Sequence, residues 1–271
     1  MEQRGTDRKS LLVGDVRLSL VDRGVGLPVL LVHGFPLNGT MWNDQIGALE
    51  DRHRAIAPDL RGFGHSDVTD GVVTMEQMAD DLAAMLDVLG VDGPVVLCGL
   101  SMGGYVALRF VRKYASRLAG LVLCDTRSAA DAPQALAARE EMARRVLAEG
   151  PEFLADAMPP KLFAEVTLRE NPQTVESLRQ MILAADPQSI AAASRGMAAR
   201  PDSTSELNEI RCPTLVVVGS EDGLSPPAEM RTMAAAIDGA RFVEIQEAGH
   251  ISPMEQPAEF NAVLLEFLDA L

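Results

Sequence analysis

Aromatic residues are scarce in this chain, at 4% of its 271 positions. Its core therefore has to be built mainly from Leu, Val, Ala and Met, since hydrophobic residues still make up 47%. Cysteine is scarcer, with three residues at Cys98, Cys124 and Cys212. Two lie in apolar runs, the third just before one, and none forms a C-x-x-C pair or a metal-ligand spacing. That excludes a disulfide-stapled scaffold and leaves reduced core thiols. No apolar run approaches the roughly 20 residues that cross a bilayer, so no membrane partner is expected. Met1 to Ser10 is charged and no apolar leader segment follows it, which makes a soluble cytoplasmic protein the expectation. Positive charge is also short: 24 Lys and Arg stand against 39 Asp and Glu, a formal net charge of -15. Phosphate backbones need basic patches, so nucleic acid is not an expected partner. The acidic excess otherwise reads as a solvated surface. Internal repeats and low-complexity linkers are absent too. The length suits one α/β domain carrying an insertion.

What is present centres on Val95 to Leu108. Val95 to Cys98 is a short apolar run, as expected of a central parallel strand covered on both faces. Tyr105, Leu108 and Val111 then recur near helical spacing. Between them, Gly99-Leu100-Ser101-Met102-Gly103 fits G-x-S-x-G, with Ser101 at the tip of a tight strand-to-helix turn. A serine at so sharp a bend takes strained backbone angles, and a neighbour with a Cβ would collide across it. The bend lifts the hydroxyl above the sheet edge. It also puts the Met102 N–H at a helix N-terminus, where negative charge is stabilised.

The rest of the chain supplies strands in series. Leu11 to Val13 and Val16 to Val21 read as a hairpin across Gly14-Asp15. Pro28 to Val32 and Ala55 to Ala57 are further strands, with a helix over Met41 to Leu49 between them. Thr74 to Leu89 predicts a helix, capped by Thr74 with Gln77 at the capping-box position. Leu118 to Cys124 is again strand-like. Strand logic then stops until Thr214 to Val218. The intervening 126–208 is alanine-rich and helical, interrupted at Pro133, Pro151, Pro159, Pro160, Pro172, Pro187 and Pro201, and reads as an inserted helical cap. This divides the chain into a first core part at 1–125, the cap at 126–208 and a second core part at 209–271. A helix over Pro226 to Ile237, a strand over Arg241 to Ile245 and a helix over Phe260 to Leu271 complete the pattern.

Ser101, Asp222 and His250 each follow a predicted strand, and reacting groups of open α/β sheets gather at that edge. A serine hydroxyl needs a base at neutral pH. Histidine titrates in the right range, and a carboxylate fixes its tautomer. Asp125, which ends the preceding strand, is the rival carboxylate; Asp222 is preferred. Of the four histidines, His250 alone follows the last strand. His33 is expected to pack or hydrogen-bond beneath its loop, His65 and Ser66 to shape a turn, and His53 to lie on the surface.

The chain resembles the α/β-hydrolase superfamily over nearly its whole length. The resemblance rests on His33-Gly34-Phe35-Pro36, Asp59-Leu60-Arg61-Gly62-Phe63-Gly64-His65-Ser66, Gly99-Leu100-Ser101-Met102-Gly103-Gly104, Gly219-Ser220-Glu221-Asp222 and Gly249-His250. Within it the chain is similar to small-ester hydrolases, enol-lactonases and cofactor-free haloperoxidases or perhydrolases. The resemblance implies a mostly parallel eight-stranded sheet with helices on both faces and a small helical cap. It implies Ser101 as nucleophile, His250 as base and Asp222 as its orienting carboxylate, with the N–H groups of Phe35 and Met102 as oxyanion hole. No metal or organic cofactor is called for, and the partner is a small ester or lactone; a homo-oligomer is compatible with the sequence. Phe35, Trp42, Met102, Phe153, Phe163 and Leu224 are pocket candidates, Phe153 and Phe163 equally candidates for cap core. Serine at the elbow argues against the epoxide hydrolases and haloalkane dehalogenases of this fold, which carry aspartate there. Pro36 is a feature of perhydrolase-like members, though a rigid loop turn is its preferred role. The remaining alternatives are carbon–carbon bond hydrolysis at the same triad and a ligand-binding receptor. A full set of triad residues favours an enzyme.

Overall fold

The computed structural model describes residues 8–271. The charged start read at 1–10 lies outside the described residues up to position 7. Among the described residues eight strands form one sheet: β1 (Arg8–Val13), β2 (Val16–Arg23), β3 (Pro28–Val32), β4 (Arg54–Pro58), β5 (Val95–Leu100), β6 (Leu118–Cys124), β7 (Thr214–Gly219) and β8 (Arg241–Ile245). Their spatial order is β1-β2-β4-β3-β5-β6-β7-β8. The β1–β2 hairpin and the β2–β4 pair are antiparallel, and every other pairing is parallel. β5 and β7 are buried at every position. Continuous Val and Leu runs suit that place, because both faces of the sheet are covered.

The covering helices follow from sequence periodicity and caps. α1 (Asn43–Leu49) packs on β4, and α2 (Met75–Val88) packs on α3 (Met102–Tyr114), which itself lies on β5 and β6. Thr74 accepts the Gln77 N–H at 3.1 Å, as the capping pattern predicts. α10 (Pro227–Ala235), α11 (Ser252–Glu255) and α12 (Pro257–Asp269) complete the core. Two helices differ from the sequence reading at their starts. The helix expected over Met41 to Leu49 is a 3-10 turn, Gly39–Trp42, followed by α1. Asn38 caps that turn by accepting the Thr40 N–H, which starts it early. The last helix starts at Pro257, and the separate turn α11 precedes it. Proline in the first turn favours both starts: Pro257 opens α12 and Pro253 is the second residue of α11, its fixed φ suiting such places.

Between β6 and β7 the chain forms six α-helices, α4 (Pro133–Glu149), α5 (Glu152–Ala157), α6 (Pro159–Leu162), α7 (Glu165–Glu170), α8 (Pro172–Leu183) and α9 (Pro187–Ala198), and a 3-10 turn, Thr204–Glu209. The prolines read as interruptions are mostly beginnings. Pro133, Pro159, Pro172 and Pro187 each open a helix. α4 and α9 pack along each other. α9 is set tightly on the core: a Cβ at Gly196 would stand 1.6 Å from the Val73 carbonyl oxygen.

His53 is a further correction. It is 7% exposed, not a surface residue. Burial, then the nearby Arg52 charge, hold its ring below the usual imidazole range. Cys98 and Cys124 are buried, Cys212 is half-buried, and all three are free thiols. Among the described residues no helix is long and apolar enough to cross a membrane.

The two helical glycines of contrasting surroundings give a test. Gly196→Ala should cost about 2 kcal/mol or more through overpacking against Val73, lowering the melting temperature by several degrees. Gly47→Ala in α1, with nothing within 4 Å of its added Cβ, should instead be neutral or stabilising by up to ~1 kcal/mol. Equal melting temperatures for both variants would contradict the close α9 contact.

Candidate active site

The parallel strands all end on one edge, and each hands a loop to it. The β5 loop carries Ser101 with φ 53 and ψ -112, a conformation that a residue with a side chain rarely adopts. Neighbouring bonds hold it. The Ser101 N–H donates to the Cys124 carbonyl at 2.9 Å. Its own carbonyl accepts the Gly104 N–H at 2.9 Å and the Thr126 hydroxyl at 2.8 Å. The flanking glycines are needed for close approach. A Cβ on Gly99 would meet the Gly103 carbonyl oxygen at 2.3 Å, and one on Gly103 would meet that of Val32 at 2.2 Å.

The β8 loop brings His250 to the serine, 149 positions away in sequence. His250 Nε2 lies 2.8 Å from Ser101 Oγ. His250 Nδ1 lies 2.9 Å from Asp222 Oδ2. Asp222 comes from the β7 loop and is 3% exposed. Its second oxygen accepts the Leu224 and Ser225 N–H groups at 2.8 and 2.9 Å. Burial would raise its carboxyl. The His250 charge and hydrogen bond, helped by the two N–H groups, outweigh that and hold Asp222 below the ordinary carboxylate range. With Asp222 ionised, Nδ1–H donates to it and Nε2 is left to accept the serine proton.

Asp125, the rival carboxylate, faces elsewhere. One oxygen accepts the Gly219 N–H at 2.8 Å and the other the Ser252 hydroxyl at 2.6 Å. Burial, then the negative charge of Asp222, push it well up from the usual range. His33 is fully buried beneath the β3 loop. It accepts the Leu60 N–H through Nε2 at 2.9 Å, so its Nδ1–H donates to the Gly34 carbonyl at 2.9 Å. Burial keeps it below the usual imidazole range. Gly34 backs onto Ser101: a Cβ there would lie 3.5 Å from the serine Cβ. Among the described residues neither the Phe35 nor the Met102 N–H has a hydrogen-bond acceptor. Pro36 is the third residue of a turn closed by the Leu37 N–H on the Gly34 carbonyl at 3.0 Å. Ser66 and His65 tie the next turn to Asp59.

Ser101 and His250 open into a cavity of about 570 Å³. Phe35, Tyr105 and Leu224 line it from the core, and Met142, Phe153 and Met158 from the helices after β6. Three pocket candidates are corrected. Trp42 is fully buried beneath α12, its ring 6.1 Å from that of Phe260. Phe163 is buried where α6 meets the His250 loop and does not line the cavity. Met102 does not line the cavity either, its side chain being buried in the core. Nothing in the sequence marks the arginines found here. Arg145 stacks 3.9 Å over the Phe153 ring, and Arg127 pairs with Glu229 at 2.7 Å. Both stand in helical or loop segments whose inner face no periodicity marks. Among the described residues no group of three His, Cys, Asp or Glu side chains could hold a metal ion.

Residues 29–263 match the model of a family described as the alpha/beta hydrolase family. The chain is 52% identical to a thermophilic esterase from Thermogutta terrifontis whose structure was determined with malate bound. That alignment covers 97% of this chain and 98% of the other, with a TM-score of 0.95. The enol-lactonase from Burkholderia xenovorans LB400 is 29% identical over 96% of this chain and all of its own, with a TM-score of 0.90. In sequence the chain is 27% identical to 3-oxoadipate enol-lactonase 2 of Acinetobacter baylyi, over 94% of each chain.

The lowered Asp222 value has a consequence for stability. A carboxyl whose folded value is depressed stabilises the fold above its unfolded value, about pH 4, and loses that contribution as pH falls through the folded one. The stability advantage of wild type over Asp222→Asn should therefore be full near neutrality and shrink on acidification. Denaturant titrations at several pH values measure it. An advantage that grows toward low pH would contradict the ion pair.

Proposed function

The chain belongs to the alpha/beta hydrolase family, and on that premise we propose that it is a serine hydrolase of small carboxylic esters or lactones. The observation that carries this is the unbroken hydrogen-bonded series Asp222–His250–Ser101 at the mouth of the 570 Å³ cavity. Similarity to an esterase and to enol-lactonases supports the same class of substrate.

In this reading Ser101 Oγ attacks the carbonyl carbon while His250 Nε2 takes its proton. The carbonyl oxygen becomes an oxyanion held by the free N–H groups of Met102 and Phe35, each worth on the order of 3 kcal/mol at the transition state. The C–O bond to the leaving group then breaks, and His250 returns the proton to the departing alkoxide. In a lactone that oxygen stays tethered to the acyl group. Water enters, gives a proton to His250 and attacks the acyl-enzyme, and the acid leaves as Ser101 is reprotonated. Asp222 stabilises the imidazolium formed in both halves. Residues 126–208 act as a cap, since Met142, Phe153 and Met158 form the walls against which the acyl group lies. The volume and the aromatic and methionine part of the lining suit short to medium acyl chains.

A series of p-nitrophenyl esters, acetyl through decanoyl, tests this. Turnover should peak among the shorter chains and fall by about 10⁴-fold or more in Ser101→Ala at an unchanged melting temperature. Activity that survives in Ser101→Ala would overturn the mechanism.

A further inference from the structure

Glu255 lies five residues after His250, at the end of α11, and is 6% exposed. Among the described residues its carboxylate accepts four hydrogen bonds and meets no cation. Oε1 takes the Gly249 N–H at 2.8 Å and the Ile251 N–H at 3.4 Å. Oε2 takes the Ala164 N–H and the Thr167 hydroxyl, both at 2.8 Å. One oxygen thus holds the backbone on both sides of His250, and the other holds the start of α7. The N–H of His250 itself donates to the Leu162 carbonyl, at the end of α6, at 2.7 Å. Three successive N–H groups of the loop are therefore fixed by Glu255 and α6. The fit is close: a Cβ on Gly249 would stand 2.6 Å from the Leu162 carbonyl oxygen.

We propose that Glu255 is a positioning residue for His250, a buried clamp through which α6 and α7 set where the base stands. The proposal rests on the triad reading. An ionised carboxylate offers about four acceptor sites and no donor, which matches four donors. Charge-assisted bonds of this kind are the stronger ones, and here they reach the N–H groups of the residues before and after His250, closely at Gly249 and at 3.4 Å at Ile251. The 2.8 Å approach of Nε2 to Ser101 Oγ depends on that backbone. Misplacement by about 1 Å at a reacting group costs on the order of 100-fold in rate. Substrate contacts on Met158 and Leu162 would reach the base through the same clamp.

Glu255→Gln tests this, because it keeps the shape but turns one acceptor oxygen into a donor amide facing donors. Kinetics with p-nitrophenyl butyrate, labelling of Ser101 by a fluorophosphonate, and thermal melting would be compared for wild type, Glu255→Gln, Glu255→Asp, Thr167→Val and Ser101→Ala. For Glu255→Gln, kcat and the labelling rate should fall about 10- to 100-fold, with KM within about threefold of wild type. Glu255→Asp, which keeps the charge, should recover part of kcat. A folded Glu255→Gln with wild-type kcat and labelling rate would overturn the proposal, even with a lower melting temperature. If Glu255→Gln does not fold, Thr167→Val decides. A several-fold lower kcat at unchanged KM supports the clamp, and a wild-type kcat overturns it. Full activity in Ser101→Ala would mark a failure of the triad reading instead.

Discussion

The elbow at Ser101 is the constraint on which the rest depends. Its positive φ costs about 1–3 kcal/mol in isolation, so the surroundings must hold it. They do so with bonds from three segments: the Cys124 carbonyl on β6, the Gly104 N–H in the first turn of α3, and the Thr126 hydroxyl. Those bonds require the strand, the helix and the next strand to approach more closely than side chains permit. Gly99 and Gly103 allow this, one facing the turn itself and the other facing β3. The same bend leaves the Met102 N–H without an acceptor and brings Gly34 against the serine. Strain, close packing and a free donor are thus three results of one local geometry.

Around the elbow, three buried carboxylates have three different surroundings. Asp222 meets a histidine and two N–H groups, which together overcome the cost of burial and keep it ionised. Asp125 meets one N–H, one hydroxyl and the field of Asp222, so its carboxyl is pushed up. Glu255 meets four donors, which pull against burial without fully offsetting it. Asp125 fixes Ser252, and Glu255 fixes Gly249 and Ile251, so the His250 loop is held from both sides by groups that do not touch the imidazole. Rigid placement of His250 by its backbone suits the proposed mechanism, in which a proton crosses the 2.8 Å gap from Ser101.

Much of this was legible in the sequence because the core obeys local rules. β3 and β8 have the bounds that apolar runs predict, and the Thr74 cap forms as its spacing implies. The strand–elbow–helix pattern drew Ser101 to the sheet edge, and the order of strands brought Asp222 and His250 to it. Asp222 is the preferred carboxylate in the sequence although Asp125 also follows a parallel strand, and the structure seats Asp222 on His250 and Asp125 on Gly219 and Ser252. Only the direction of each side chain separates them. The pocket was less legible. Trp42 looked available beside the β3 loop, yet packing against Phe260 takes it inside. Phe163 is drawn under the His250 loop by the tight contact of α6 with Gly249. Glu255 was invisible for a related reason: a lone carboxylate in a one-turn helix has no periodic partner to mark it as inward.

The most direct test of the central claim is to quench the wild-type enzyme during turnover of p-nitrophenyl acetate and locate the covalent adduct by mass spectrometry. One acetyl group per chain is expected, on the peptide bearing Ser101, with near absence at the same time point in His250→Ala. An adduct on another residue, or acetylation of Ser101 that is equally fast without His250, would contradict it.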